Sequence, residues 1–186
     1  LEDDRQRQAK EDAKHQAATP ADADHPYLVA KHIKPRGARQ LGCDQGLIIP
    51  IYNAKQELVN IQIIAKDGTK RFLSGGKKKA CFSVIGNYVY GDKLLICEGF
   101  ATDASLNEHS GYAVIVALDA GNLETVAKEI RVLYPEAEIV IAGDNDLSGV
   151  GQKAAEAAAS VIGGKYILPP VTGQDFNDAL TIEMSL

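Results

Sequence analysis

Apolar and polar positions follow two different patterns along this chain, with the change near residue 92. Upstream, Leu47-Ile48-Ile49-Pro50-Ile51-Tyr52 is a run of strand length, Asn53-Ala54-Lys55-Gln56 a turn, and Glu57–Ile64 a second, partly alternating run. That arrangement predicts an antiparallel hairpin. Asp67-Gly68 marks another turn, Lys70–Leu73 a short strand, and Cys81–Gly86 a further one. His25–His32 predicts a short helix with Pro26 in its first turn and Tyr27, Ala30 and Ile33 on one face. Residues 1–24 are charged and rich in Ala and Gln, which predicts a helical or frayed lead-in, as expected of an interdomain linker or a piece of a longer protein.

Downstream the pattern becomes strand, then helix, repeated. Strands are expected at Leu94–Cys97, Ala113–Ala117, Glu138–Ala142 and Lys165–Leu168. Helices are expected at about 101–108, 123–134 with Asn122 as N-cap, 149–162, and 177–181. Nearly continuous apolar strands between helices predict a parallel sheet covered on both faces. The expected fold class is therefore α/β, a parallel sheet flanked by helices, preceded by a small sheet-rich α+β subdomain. The expected division is a lead-in over 1–24, a basic sheet-rich subdomain over 25–91, and the α/β unit over 92–186.

Parallel sheets bind ligands at the carboxyl ends of their strands. Glu98, Asp119, Asp144 and Asp146 all fall just past predicted strands. Asp144 and Asp146 stand two apart on a turn that Asn145 suits, and Glu98 ends a neighbouring strand. No Lys or Arg lies between Glu98 and Lys128. Carboxylates gathered in this way repel one another, and a divalent cation such as Mg²⁺ is the natural compensation. The plainer reading has Asp146 capping the next helix and Asp144 occupying a turn; the two roles are compatible for Asp146. Near the end, Gly173-Gln174-Asp175-Phe176-Asn177-Asp178 supports two readings. One is a capping turn, with Asp175 or Asn177 as cap and Phe176 and Leu180 packing. The other adds Asp175 and Asp178 to the acidic cluster.

Charge changes the picture more than composition does. The net charge of -5 conceals 15 basic against 10 acidic side chains in residues 1–91, and 5 against 15 in residues 92–186. A basic stretch before an acidic one points to polyanion capture in the first and cation binding in the second. The alternative is two ordinary solvated faces. Three cysteines, Cys43, Cys81 and Cys97, form no CxxC and no Cys/His spacing, so no zinc site is expected and the thiols are read as reduced and mostly buried, in a cytoplasmic protein. His25 and His32 are read as packing or surface residues. No apolar run approaches the roughly 20 residues that span a bilayer, and no membrane partner is expected.

Glu98-Gly99 after one apolar strand, Asp144-x-Asp146 after another, Gly149 opening an Ala-rich helix, and the final Gly-Gln-Asp-Phe-Asn-Asp resemble a Toprim domain. Within that family, Leu94–Thr102 and Gly173–Asp178 are most similar to primases of the bacterial type, encoded by plasmids and phages. Gly46–Asn53, Leu58–Gln62 and Lys70–Gly76 resemble the hairpin and basic segment that precede the Toprim unit in primase catalytic cores. The resemblance implies a metal-dependent, template-directed polymerase making RNA primers from ribonucleoside triphosphates on single-stranded DNA. It implies Glu98 as metal ligand or acid/base, Asp144 and Asp146 as holders of Mg²⁺ or Mn²⁺, and Asp175 and Asp178 as later acidic positions. It implies phosphate contacts from Lys66, Lys70, Arg71, Lys77, Lys78 and Lys79, with a solvated loop as the alternative for the lysine triplet. Such primases usually carry an upstream zinc module and a helicase or helicase-binding region; neither pattern occurs in these residues. A replicative helicase would be reached through regions outside them, and this stretch alone would prime poorly. The alternatives are a Toprim nuclease using the same acidic set, and a non-catalytic nucleic-acid-binding module.

Overall fold

The hairpin forms as its sequence predicts. In the computed structural model, which describes residues 2–17, 19–40 and 46–183, β2 (Leu47–Tyr52) pairs antiparallel with β3 (Leu58–Ile64). Asn53 closes the turn: its Oδ1 accepts from the Lys55 and Glu57 amides at 3.0 Å each, and its Nδ2 donates to Glu57 at 2.7 Å. β1 (Arg39–Gln40) and β4 (Lys70–Phe72) flank this pair in a four-stranded sheet of order β1-β2-β3-β4. The β3–β4 turn is the Asp67-Gly68 pair, where the Asp67 side chain accepts from the Thr69 amide and Gly68 takes a φ of 86°. Cys43 lies outside the described residues.

The lead-in is a continuous helix, α1 (Glu2–Gln16), and it belongs to this sheet. It buries only Ala9 and Ala13, and Ala13 packs with Ile48 and Ile61. A helix with alanines on its inner face can lie close to a sheet, but two buried methyls contribute only on the order of 1–2 kcal/mol. The short helix α2 (Pro26–Lys31) has Pro26 in its first turn and the buried His25 as N-cap, accepting from the Tyr27 amide. Of the expected face, Tyr27 and the following Ile33 are buried but Ala30 is exposed, and Leu28 is buried instead: fewer than two turns are too short for 3.6-residue periodicity to select a stripe.

The chain divides between Ser83 and Val84 into two units. The second carries a five-stranded sheet of order β5-β7-β6-β8-β9, built from β5 (Ser83–Ile85), β6 (Lys93–Cys97), β7 (Ala113–Val116), β8 (Glu138–Ala142) and β9 (Lys165–Ile167). β6 pairs in parallel with both β7 and β8, and β8 with β9. The connecting helices are α3 (Phe100–Ser110), α4 (Ala120–Leu133) and α5 (Val150–Ile162), and α6 (Phe176–Glu183) closes the described chain. From β6 the chain steps to β7 on one side, then crosses back to β8 on the other. Right-handed crossovers then put α3 on one face and α4 and α5 on the opposite face. The contacts agree: α4 packs on α5, and α3 on α6.

One helix start differs from the sequence reading. α4 is capped by Asp119, whose side chain accepts from the Asn122 amide at 3.0 Å, so the helix begins three residues earlier than expected. Asn122 is instead buried, and its Nδ2 holds the Ala117 carbonyl at 2.9 Å. α6 is anchored by the buried Asn177, which donates to the Ser105 hydroxyl of α3 at 2.8 Å, while Phe176 and Leu180 are only half-buried.

Candidate metal centre at the strand ends

The order β7-β6-β8 places a topological switch between β6 and β8, where the chain leaves one strand end toward one face and the other toward the opposite face. A crevice opens outside the carboxyl ends of such strands. Cys97, the last residue of β6, is in register with Ala142, the last of β8. Glu98 and the Gly143-Asp144 step therefore leave the sheet side by side. Gly143 is required by closeness: a Cβ there would stand 2.5 Å from the Ala155 Cβ on α5.

The wholly buried Cys97 shows how acidic this place is. Its thiol is pushed well above the ordinary range, first by burial, then by the Asp103 carboxylate and its hydrogen bond, then by the charges of Asp144 and Glu98. Three carboxylates thus converge on the end of β6. Asp103 sits fully buried in the first turns of α3, where the helix dipole favours its charge. Among the described residues no three His, Cys, Asp or Glu side chains stand as a ready-made metal cage. The donor chemistry nonetheless fits a hard cation of the Mg²⁺ type, which takes one or two protein carboxylates directly and completes its shell with water and phosphate oxygens.

Asp146 is turned toward α5. It accepts from the Ser148 amide at 2.8 Å, from the Ser148 hydroxyl, and from the Gly151 amide at 2.6 Å. These bonds lower its carboxyl to about 2. The capping role expected of it is therefore present. Between the two aspartates, Asn145 is tied to the segment 169–174 on both edges. Its amide donates to the Gln174 carbonyl at 3.0 Å, and its carbonyl accepts from the Gly173 amide at 2.6 Å. Its Nδ2 donates to the Pro169 carbonyl at 2.9 Å, and its Oδ1 accepts from Gln152 at 2.6 Å. Asp175 and Asp178 form a capping box on α6: the Asp178 amide donates to Asp175 at 2.8 Å and the Asp175 amide to Asp178 at 3.3 Å.

Residues 93–184 match the Toprim domain family. This stretch is a Toprim domain. The chain is 38% identical over 161 residues to a DNA primase TraC of Escherichia coli, an alignment covering 81% of this chain and 11% of that protein. A second DNA primase TraC of Escherichia coli is 36% identical over 166 residues, covering 76% and 16%. The chain thus spans a small fraction of the length of the curated relatives it matches. Among solved structures, the DnaG primase catalytic domain bound to ssDNA superposes with a TM-score of 0.64 at 12% identity, covering 98% of this chain and 78% of that one. The primase fragment of the bacteriophage T7 primase-helicase protein gives 0.62 at 16% identity, covering 87% and 74%. These likenesses establish a shared fold.

Within the Toprim domain, then, the structure brings Glu98 and Asp144 together and adds Asp103, which sequence reasoning passed over. Its signal was a carboxylate five positions after Glu98, in the first turns of the helix that follows the strand. Asp146, Asp175 and Asp178 place their hydrogen bonds at helix starts. The basic residues expected to contact phosphate all lie upstream of the Toprim domain. Lys66, Lys70, Arg71, Lys77 and Lys79 are exposed, while Lys78 is half-buried with its ammonium 5.0 Å from the Phe72 ring centre. The basic loop is held by the buried Asn60, whose Oδ1 accepts from the Leu73 amide and whose Nδ2 donates to the Lys77 carbonyl. No helix among the described residues is long and apolar enough to cross a membrane.

Proposed function

We propose that this chain is the catalytic core of a DNA primase, a nucleotidyltransferase that joins ribonucleotides on a single-stranded DNA template. The observation that carries the reading is the placement of Glu98 and Asp144 at the ends of adjacent parallel strands, at the switch point of a Toprim sheet. The identity with two proteins named DNA primase adds to it.

In this reading Glu98, Asp144 and Asp146 hold Mg²⁺ or Mn²⁺. The cation would supply positive charge to the phosphate oxygens while a primer 3′-hydroxyl attacks the α-phosphate of a ribonucleoside triphosphate and pyrophosphate leaves. Asp144 and Glu98 offer carboxylate oxygens from a rigid sheet, so little reorganisation is needed when charge develops. Asp146 brings an oxygen anion that stays ionised at any working pH. Asp175 and Asp178 start α6 and so set the loop that meets Asn145. Lys66, Lys70, Arg71, Lys77, Lys78 and Lys79 hold template or nucleotide phosphates, a contact that positions the strand without reading its sequence. A replicative helicase would act through other parts of a longer protein.

The test supplies single-stranded DNA, Mg²⁺ or Mn²⁺ and labelled ribonucleotides. Short RNA products that disappear in Asp144→Ala and Glu98→Ala, while both variants keep the wild-type circular dichroism spectrum, are the expected result. Strand cleavage with no ribonucleotide incorporation would overturn the proposal in favour of a nuclease.

A further inference from the structure

Four hydrogen bonds engage every polar group of Asn145, the residue between the two aspartates of the loop: amide, carbonyl, Nδ2 and Oδ1. Three run to the segment 169–174, and the fourth comes from Gln152 on α5, which also reaches the Asp146 carbonyl at 3.3 Å. The loop thus has no ladder partner in the sheet but acquires one in the segment that leads into α6. A backbone of this kind, pinned on both edges at its middle residue, leaves Asp144 and Asp146 little freedom to reorient. A loop that only needed to connect β8 to α5 would gain nothing from a buried-facing amide at its centre; a glycine or serine would turn as well.

The geometry points to Asn145 as a positioning residue, clamped by Gln152 and the Pro169 carbonyl, that fixes the Asp144 and Asp146 carboxylates for a divalent cation and couples them to the 169–174 segment. This rests on the metal reading given above. It assigns Asn145 no contact with substrate. It predicts that the segment 169–174, which contributes no carboxylate up to Gln174, belongs functionally to the metal centre. Residues that orient ligands typically change metal affinity about 10- to 100-fold when removed.

Mn²⁺ binding to the 186-residue chain, followed by electron paramagnetic resonance without nucleotide or DNA, tests this apart from activity. Asn145→Ala should weaken Mn²⁺ binding about tenfold or more with thermal unfolding kept near the wild-type midpoint. Gln152→Ala should weaken it in the same direction, and the two effects should be less than additive in the double variant, because the Gln152–Asn145 bond is common to both. Should Asn145→Ala not fold, Gln152→Ala decides. Unchanged Mn²⁺ affinity in the folded Asn145 or Gln152 variant, with affinity lost in Asp144→Ala, overturns the positioning role and leaves the metal reading standing. Affinity unchanged in Asp144→Ala overturns both.

Discussion

Asp146 shows how one side chain can carry a structural and a proposed chemical role without conflict. Both need the anion. Its three acceptor bonds lower the carboxyl from the usual 3.8 to about 2. Because the folded value is the lower one, the stabilisation is complete above the ordinary value and is lost as pH falls through about 2. Acid unfolding should therefore separate wild type from Asp146→Asn at pH 5, with the gap closing as pH drops toward 2, as read by far-ultraviolet circular dichroism; a constant gap would remove the charge from the account. Gly151 decides a sign in the same loop. By helix propensity alone Gly151→Ala gains about 1 kcal/mol. A Cβ there would stand 2.6 Å from the Asp144 carbonyl and 2.8 Å from Asp146 Oδ2, and the first of these is backbone. The clash wins, because backbone cannot swing aside as a flexible side chain can. The variant should lower the unfolding temperature and weaken Mn²⁺ binding together.

At the scale of elements, what the sequence disclosed depended on how far away the partner was. The β2–β3 hairpin was legible because strands and turn are contiguous, and Asn53 carries its own turn chemistry. The strand ends bearing Glu98 and Asp144 were legible because apolar runs stop where they do. The start of α4 was misplaced because Asp119 and Asn122 are both good caps, and only the extended backbone at Asp119, with φ of -164°, selects between them. Asn145 could not be read as a clamp, since its partner carbonyl at Pro169 is 24 residues away. Nor could the docking of α1, whose buried face is alanine. Arg131 was silent because its partners are backbone carbonyls, which carry no sequence signal, and one of them is 31 residues away. Its guanidinium donates to the carbonyls of Tyr134, Pro135 and Ala137, and through Nε to Ile162, so it closes the ends of both α4 and α5. Bonds to a charged group are worth roughly 1.5–3 kcal/mol, most of it shared among these four. Arg131→Ala should cost about 2 kcal/mol in urea unfolding, and Arg131→Lys should recover little, because one ammonium cannot serve the Ile162 carbonyl and the 134–137 carbonyls from the two separate positions that Nε and Nη1 occupy.

On the scale of the whole molecule, the charge asymmetry follows the division of the chain: the excess of basic side chains lies upstream and the excess of carboxylates in the Toprim domain. If the basic face of the first unit holds a polyanion, its contribution must show as released counterions. Affinity for single-stranded DNA should then fall linearly with salt on logarithmic axes, with a slope of about -0.7 for each phosphate contact. Lys70→Ala with Arg71→Ala should make that slope shallower by up to about 1.4, measured by fluorescence anisotropy across a salt series in EDTA. Lys77→Ala and Lys79→Ala test the loop separately, where a solvated face would leave the slope unchanged. Asp144→Ala, on the other unit, should leave the slope as it is in the absence of metal, since removing a carboxylate takes away no phosphate contact. The two halves of the proposal can therefore fail independently. A shallower slope in the lysine and arginine variants with metal binding intact would place template capture on the first unit alone. An unchanged slope would reduce its positive charge to solvation and leave the Toprim domain to find its phosphates unaided.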